Sequence, residues 1–266
     1  MKEIAIGFVI YKPEPDFWQR IEMLNENGYK CFIFDNHPNS INFSIKNYEL
    51  EYTTVGKNLG LGIGISCVCA QAFYKGYKSL FFFDQDTIFN MNCIDFVNEF
   101  NSKYNYYSKD YSSFVFNSKK LNQVPNVGKY FIKETYLSIS SGSLFFLNRL
   151  KELNWHDHTF FIDCVDYEFC YNSYRNNLKI GECLNTPGFD HVTGQEDKQY
   201  KLFHKVFKTR KYPLFRIKDT IYGSLKILNR TIKDANFKFG YLIIRSLLIY
   251  LYFQLLSRLL KPLSSN

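Results

Sequence analysis

Short apolar runs alternate with amphipathic stretches along the first part of the chain. Ile4–Ile10 is a continuous apolar run rich in β-branched residues, which is typical of a buried strand. Residues 17–27 carry apolar side chains at helical spacing and are followed by Gly28, which predicts a helix. The same reasoning predicts another helix at Leu61–Tyr74. It also predicts three more strands, at 31–34, 50–55 and 80–83. Strands separated by helices indicate a mostly parallel sheet with helices on both faces.

The pattern is less regular after residue 88. It predicts two helices, at Met91–Tyr104 and at 163–174. It also predicts three strands, at 114–116, 137–147 and 179–183. From residue 201 to the end it predicts helix. We therefore expect an α/β domain over residues 1–200 and a helical C-terminal region over residues 201–266.

The charge of the chain is unevenly distributed. Residues 201–266 contain 14 Lys and Arg against Asp219 and Asp234, a net charge of +12, so residues 1–200 carry −4 of the total of +8. A basic tail on a weakly acidic body indicates an anionic partner. An anionic membrane fits better than nucleic acid, because the basic segment runs into the strongly apolar residues 239–260.

Three interpretations of the apolar tail stay open. Its length is about that of a membrane span, but Arg245, Gln254 and Arg258 interrupt it. We favour a helix lying on an anionic lipid surface, with basic and aromatic residues before it. The alternatives are a homo-oligomer interface through the C-terminal helices and a true span.

The cysteines and the N-terminus bear on the compartment. The chain has seven cysteines, an odd number, and no Cys-x-x-Cys spacing, so neither a disulfide framework nor a zinc site is expected. The apolar run Ile4–Ile10 is too short for a signal-peptide core. We expect a reducing, cytoplasmic location.

Two carboxylates one residue apart are the most informative chemical feature. Asp84 and Asp86 directly follow the apolar strand 80–83, at its carboxyl end. Open α/β sheets bind ligands beyond the carboxyl ends of their strands, and Mg²⁺ or Mn²⁺ takes carboxylates together with substrate phosphates. The structural alternative is a turn or a helix cap.

Two further segments follow predicted strands. Asp35 ends the second strand, where it could accept a hydrogen bond from the imide N–H of uracil or thymine or form an Asx-turn. Asn58–Gly64 holds three glycines after the third strand, so it is not a dinucleotide fingerprint, which belongs after the first. These glycines either pack a helix N-terminus against the sheet or let the backbone approach a donor phosphate or sugar.

An ordered set of segments resembles family 2 inverting glycosyltransferases of the GT-A fold, and in particular their bacterial rhamnosyltransferase branch. The matching segments are residues 4–13, 34–36, 57–62, 83–87, 140–143, 161–169 and 190–194. The resemblance covers roughly residues 3–230. It implies a nucleotide-diphospho-sugar transferase with a GT-A catalytic domain over residues 1–200.

The resemblance also implies roles for residues at these positions. The implied donor-binding residues are Tyr11, Asp35, Asn58, Gly60, Asp84 and Gln85. The implied metal ligands for Mg²⁺ or Mn²⁺ are Asp84, Asp86 and His191. His191 could instead contact a phosphate or be a satisfied, partly buried histidine. The implied acceptor-binding residues are Ser141, Gly142 and Asp163.

Asp166 is the candidate general base. It lies beside Asp163 and Glu168, and clustered carboxylates favour a base that works near neutral pH. Asp163 and Asp166 are expected to share a helix face, and either Asp163 or Glu168 could orient the acceptor. The structural alternative is an acidic helix N-terminus stabilised by the helix dipole.

These observations lead to one hypothesis and its alternatives. We expect an inverting, metal-dependent glycosyltransferase, peripheral on the inner face of a bacterial cytoplasmic membrane. It would move L-rhamnose from dTDP-rhamnose onto a lipid-linked oligosaccharide of an O-antigen, capsule or other surface polysaccharide. Within the class, the alternative donor is a UDP-hexose or UDP-galactofuranose. Outside it, the alternatives are a nucleotidyltransferase and a non-catalytic sugar-binding protein.

Overall fold

The structure is a computed structural model that describes residues 3–38, 50–116, 131–184, 186–191 and 197–263. The side chains of Phe131 and His191 lie outside this description. The chain divides into two compact units. The first comprises Met1–Phe161 and Val165–Asp190, and the second comprises Ile162–Cys164 and His191–Asn266.

Twelve strands lie in the described part of the chain. In chain order they are β1 Ile4–Ile10, β2 Cys31–Asp35, β3 Leu50–Thr54, β4 Ser79–Asp84, β5 Thr87–Ile88, β6 Tyr111–Phe116, β7 Phe131–Thr135, β8 Ser143–Phe146, β9 Lys179–Leu184, β10 Asp190–His191, β11 Lys198–Leu202 and β12 Lys205–Thr209. The α-helices of the same residues are α1 Pro15–Glu26, α2 Leu61–Tyr74, α3 Met91–Tyr104, α4 Leu147–Glu152, α5 Val165–Arg175, α6 Leu214–Lys233 and α7 Phe237–Leu259. A 3₁₀ helix spans Asn105–Lys109.

The first unit is built on an eight-stranded sheet in the order β3-β2-β1-β4-β8-β6-β9-β7. Strands β3, β2, β1 and β4 are parallel, as is β6 with β9. Strand β8 runs antiparallel between β4 and β6, and β7 is antiparallel to β9. The expectation of a mostly parallel α/β sheet flanked by helices is confirmed.

Strand β1 has no polar side chain, and all seven of its residues are buried. This burial indicates that both faces of the sheet are covered. On one face, Phe8 packs against Phe17 of α1, with ring centroids 5.3 Å apart. On the other face, α2 packs against β1 so closely that a Cβ on Gly64 would lie 2.7 Å from the Val9 side chain. This two-sided packing leaves the strand ends as the place for polar residues.

The second unit combines a β-hairpin with two helices. Strands β11 and β12 pair antiparallel, and α6 packs against α7. The expectation of helix from residue 201 onward is therefore wrong for residues 201–209 and correct for the two long helices. Tyr200 is buried and stacks on Phe207 across the hairpin, with ring centroids 5.7 Å apart. Apolar and polar residues therefore alternate along these lysine-rich strands, as is usual for a strand with one buried face.

Two other boundaries differ from expectation. The predicted strand 137–147 is only Ser143–Phe146, because a tight turn with Gly142 at φ +77° precedes it. The predicted helix 163–174 begins at Val165, since Cys164 has φ +64° and cannot belong to a right-handed helix.

Candidate functional site

Three parallel strands of the first unit bring their carboxyl ends to one edge of the sheet. Ile10 of β1 pairs with Asp35 of β2, and Val9 of β1 pairs with Asp84 of β4. The two aspartates therefore flank the end of β1, where Tyr11 follows. This is the edge at which open α/β sheets bind their ligands.

Hydrogen bonds fix the corner formed by Asp84, Gln85 and Asp86. The backbone N–H of Tyr11 donates to Gln85 Oε1 at 2.6 Å. Arg20 Nη2 of α1 donates to the Gln85 carbonyl oxygen at 2.7 Å. Asp84 and Asp86 are both half-buried. The end of β1 and a helix thus position this Asp-Gln-Asp corner.

Ser141 supports the corner from behind. Its Oγ accepts a hydrogen bond from the Asp84 N–H at 3.1 Å and lies 2.8 Å from Thr87 Oγ1. The Gly142 N–H donates to the Phe82 carbonyl oxygen at 2.8 Å. Ser141 and Gly142 are both buried in the structure, so they hold the turn in place, and their acceptor contact stays a prediction.

Asp35 is engaged at both carboxylate oxygens. The His37 N–H donates to Oδ1 at 2.7 Å, which is an Asx-turn, and the Tyr52 hydroxyl donates to Oδ2. Burial, together with this hydrogen bond and the Asp35 charge, raises the pKa of Tyr52, so its proton stays in place at neutral pH. Asp35 is only 1 % exposed. The contact of Asp35 with the uracil or thymine of a donor nucleotide stays a prediction.

The glycine segment is tied to the strand end by Asn36. Its Nδ2 donates to the Gly60 carbonyl oxygen at 3.1 Å, and its Oδ1 accepts from the Leu59 N–H at 2.9 Å. Asn58 Oδ1 accepts from the Gly60 N–H at 2.9 Å, which closes the loop on itself. Asn36 therefore carries the position of Asn58 and Gly60 back to β2.

Close packing explains the glycines themselves. Gly60 has φ +87°, and a Cβ there would lie 2.5 Å from the Phe161 carbonyl oxygen. A Cβ on Gly62 would lie 2.8 Å from the Asp157 and Phe160 carbonyl oxygens. The packing interpretation therefore holds, and the approach to a donor stays a prediction.

Asp166 lies in the first turn of α5 and is oriented by Ser140. Both the backbone N–H of Ser140, at 3.1 Å, and its hydroxyl donate to Asp166 Oδ1. Glu168, two residues further along the same helix, is only 2 % exposed. A fixed, half-buried carboxylate at the start of a helix is suited to accept a proton from a bound hydroxyl.

Asp163 lies in the second unit and has a different environment. Arg216 Nη2 donates to its Oδ1 at 2.6 Å, and its own N–H donates to Asp219 Oδ2 at 2.8 Å. Burial lowers the pKa of Arg216, but the bond and charge of Asp163 outweigh this and raise it overall. The expectation that Asp163 and Asp166 share a helix face is wrong, because the helix begins at Val165.

The metal prediction depends on the corner alone. His191 belongs to the predicted motif 190–194, and its side chain and residues 192–194 lie outside the described residues. Among the described ones, no group of three or more His, Cys, Asp or Glu side chains is placed to hold a metal. Two carboxylates suit Mg²⁺ or Mn²⁺, which takes its remaining ligands from substrate phosphates and water. The donor set of Asp84 and Asp86 therefore fits such an ion.

Several residues that hold the candidate site residues in place have no individual role in the sequence analysis. They are Arg20, Asn36, Tyr52, Ser140, Arg216 and Asp219. Asn36 and Ser140 lie inside the segments 34–36 and 140–143 that resemble the family, so the resemblance was a usable signal for them. The other four come from distant segments, Arg20 and Tyr52 in the first unit and Arg216 and Asp219 beside Asp163 in the second, and nothing local indicates their role.

The comparisons with known proteins bear on the fold. No protein-family model and no curated protein matches the chain. The crystal structure of S. aureus TarS is similar with a TM-score of 0.56 at 13% identity, covering 85% of this chain and 40% of that one. TarS 1-349 in complex with UDP-GlcNAc has a TM-score of 0.53 at 13% identity, covering 85% and 67%. GalNAc-T7 with UDP, GalNAc and Mn²⁺ has a TM-score of 0.54 at 12% identity, covering 72% and 44%.

The chain spans less than half the length of the longer TarS chain and of the GalNAc-T7 chain, and about two thirds of TarS 1-349. At this level of identity the likeness concerns the fold. Both neighbours are GT-A-type glycosyltransferases. Together with the strand order and the ordered motifs, the comparison establishes that this chain has the GT-A glycosyltransferase fold.

Proposed function

We propose that this protein is an inverting glycosyltransferase that takes a sugar from a nucleotide-diphosphate donor. One observation carries the proposal. Asp35, Asp84 and the Tyr11–Gln85 hydrogen bond lie together at the carboxyl edge of neighbouring parallel strands. This edge has a fixed Asp-Gln-Asp corner next to a glycine-rich loop. The neighbours with UDP-GlcNAc and with UDP and Mn²⁺ support a nucleotide-sugar donor.

The corner would hold Mg²⁺ or Mn²⁺ through Asp84 and Asp86. A bound ion of this kind stabilises the negative charge of a departing diphosphate as a Lewis acid. The protein's own contribution is to fix the corner. Ser141 holds the backbone of Asp84, and Gln85 ties the corner to the end of β1, so the backbone that carries the two carboxylates is fixed before an ion binds.

Asp166 would accept the proton of the acceptor hydroxyl. Ser140 occupies Oδ1 with two hydrogen bonds and so fixes the direction of the carboxylate. An oriented base increases the rate of transfer because the proton-accepting oxygen is already placed next to the acceptor hydroxyl. Either Glu168 or Asp163, which is paired with Arg216, is proposed to orient the acceptor.

The donor and acceptor are proposed from the sequence resemblance. L-Rhamnose from dTDP-rhamnose is the first candidate, and a UDP-hexose or UDP-galactofuranose is the alternative. UDP-GlcNAc is a further candidate because TarS 1-349 binds it. The acceptor would be a lipid-linked oligosaccharide of a bacterial surface polysaccharide. Such an acceptor places the enzyme at the cytoplasmic face of the membrane.

The second unit supports a peripheral location on an anionic membrane. Helix α7 is long and apolar enough to cross a membrane by length and composition alone. One of its faces, however, packs inside the unit, with Ile243 and Leu256 buried. The opposite face is an exposed apolar stripe of Phe237, Tyr241, Ile244, Leu248, Tyr252, Leu255 and Leu259. A helix that is packed on one face and apolar on the other suits the membrane surface.

The reaction class is tested with purified protein, Mn²⁺ and a panel of nucleotide sugars, by identifying the released product. A glycosyltransferase releases a nucleoside diphosphate. Release of pyrophosphate would instead establish a nucleotidyltransferase, and binding without any turnover would establish a sugar-binding protein. The nucleotide sugar that gives the largest thermal stabilisation identifies the donor.

The membrane location is tested by placing glutamates in the exposed stripe, at Leu248, Leu255 and Leu259. This variant should no longer sediment with vesicles rich in phosphatidylglycerol. Three glutamates at exposed positions of the first unit, Val55, Tyr74 and Tyr106, are the matched control and should leave sedimentation unchanged. Equal sedimentation of both variants, with loss of an oligomer in the first, would favour the oligomer interface.

A further inference from the structure

A basic cavity lies within the second unit. It has a volume of about 710 Å³, inside the range of roughly 300–1,000 Å³ that is usual for small-molecule sites. Its walls come from β11, the segment 210–213, the start of α6, and the end of α7 with the residues after it. Six cationic side chains line it: Lys198, Arg210, Lys211, Arg216, Arg258 and Lys261.

Two of these cations are balanced by carboxylates. Arg216 pairs with Asp163 at 2.6 Å, and Arg210 lies 3.5 Å from Asp197. Across the described ranges of the chain, no ion pair involves the remaining four, Lys198, Lys211, Arg258 and Lys261. Like charges that face one cavity repel one another, so an anion in the cavity would stabilise them.

The guanidinium of Arg258 is held in place by uncharged groups. Its Nη1 donates to the backbone oxygen of Gln254 at 2.7 Å and to Gln254 Oε1 at 2.9 Å, and its Nη2 donates to the Tyr212 carbonyl oxygen. Gln254 is only 3 % exposed and also bonds the Arg210 carbonyl and the Tyr212 N–H. This network orients the positive charge without neutralising it, which suits a phosphate that accepts hydrogen bonds from Arg.

Exposed apolar side chains lie near Arg258 in the sequence of α7. Leu255 and Leu259, which precede and follow Arg258 on α7, are 55 % and 70 % exposed. They end the apolar stripe of that helix. A ligand with its charge in the cavity could therefore lay a hydrocarbon chain along α7. A free inorganic anion or a nucleotide has no hydrocarbon chain that could contact this stripe.

We propose that this cavity binds a phosphate or diphosphate group carried on a lipid. The shared chemistry has two sources, the head group of an anionic phospholipid and the diphosphate of a lipid-linked saccharide. Either would anchor the second unit at one defined site, in addition to the general attraction of a basic surface for an anionic membrane. The inference concerns binding alone and does not require that the protein transfers a sugar.

The test measures binding of two soluble probes, dihexanoyl phosphatidic acid and farnesyl diphosphate, by calorimetry below their micelle concentrations. The pocket variant is Lys198→Gln, Lys211→Gln and Lys261→Gln, all of which change exposed side chains. The matched control is Lys205→Gln, Lys208→Gln and Lys233→Gln, which removes the same charge from exposed lysines outside the cavity. Thermal melting confirms that both variants are folded.

The proposal expects saturable 1:1 binding of at least one probe, weakened at least tenfold in the pocket variant and less than twofold in the control. Binding of farnesyl diphosphate alone assigns the cavity to a lipid-linked saccharide, and binding of phosphatidic acid assigns it to a membrane head group. No binding of either probe, or equal loss in both variants, overturns the proposal. Inorganic pyrophosphate that binds as tightly as farnesyl diphosphate overturns its lipid component.

Discussion

The backbone N–H of Tyr11 donates a hydrogen bond of 2.6 Å to the side-chain Oε1 of Gln85. This bond joins the end of β1 to the Asp-Gln-Asp corner at the end of β4. The middle residue of the motif therefore has a structural task, whereas its two neighbours, both half-buried, are the proposed metal ligands. The geometry of the corner depends on this bond.

Replacing Gln85 with Met should weaken nucleotide binding. The variant keeps the length of the side chain but removes the acceptor for the Tyr11 N–H. A hydrogen bond of this kind contributes about 0.5–1.5 kcal/mol, so affinity for dTDP or UDP should fall by about two- to tenfold. Calorimetry with Mn²⁺ measures the change. Gln19→Met, at an exposed position of α1, should bind as the wild type does, and equal affinity of both variants would rule out the positioning role.

Replacing Ser141 with Ala should destabilise the first unit. The change leaves the Asp84 N–H and the Thr87 hydroxyl without the Ser141 oxygen, at a buried position. The free energy of unfolding should fall by about 1–3 kcal/mol. Urea denaturation measures it, with Ser102→Ala at an exposed site as the control. A change below that of the control would show that Ser141 does not support the corner.

Asp166→Asn should abolish transfer and keep donor binding. Loss of a general base costs about 10²–10⁴ in rate, whereas the donor site at the strand ends keeps all of its residues. Ser140→Ala should lower the rate less, because the base remains but loses its orienting bonds. Initial rates and donor calorimetry separate the two effects. Retained turnover in Asp166→Asn would remove this residue as the base.

A buried histidine should make the protein sensitive to acid. His156 stacks on Phe169 with ring centroids 4.7 Å apart, and neither of its ring nitrogens has a hydrogen-bond partner among the described residues. Burial lowers the pKa of His156 to about 3 from its ordinary 6.5. Between these values the unfolded chain binds a proton that the folded protein does not, so stability falls as the pH drops from 6.5 towards 3.

The cost is at most about 1.4 kcal/mol per pH unit. His156→Leu should remove this part of the slope, so the stability of the variant relative to wild type should rise steadily from pH 6 to pH 4. Urea denaturation at several pH values gives the difference. His158→Leu, at an exposed site, should leave the slope unchanged. Parallel curves for wild type and His156→Leu would contradict the assignment.

Much of the sheet could be predicted from the sequence, because its strands are buried on both faces. The bounds of Ile4–Ile10 and of helix Leu61–Tyr74 agree with the structure, since continuous apolar runs bounded by turn residues leave little freedom. The hairpin Lys198–Thr209 was missed because its lysines mask the alternation of Tyr200 and Phe207 with polar neighbours.

The site could be predicted only in part. The strand-end positions of Asp35 and Asp84 follow from where apolar runs stop, and parallel pairing then brings them to one edge. The support that Ser141 gives to Asp84 joins residues 57 positions apart, and nothing in the local pattern indicates it. The Arg216 ion pair of Asp163 likewise depends on tertiary packing.

The most direct test of the account is metal-dependent nucleotide binding by Asp86→Ala. Calorimetry would measure UDP and dTDP binding to wild type, to Asp86→Ala and to the exposed control Asp110→Ala, each with Mn²⁺ and with EDTA. We expect Mn²⁺ to strengthen binding to wild type and control, and Asp86→Ala to bind only as weakly as wild type does in EDTA. If Asp86→Ala keeps both the affinity and the Mn²⁺ dependence of the wild type, the corner holds no metal and the account is wrong.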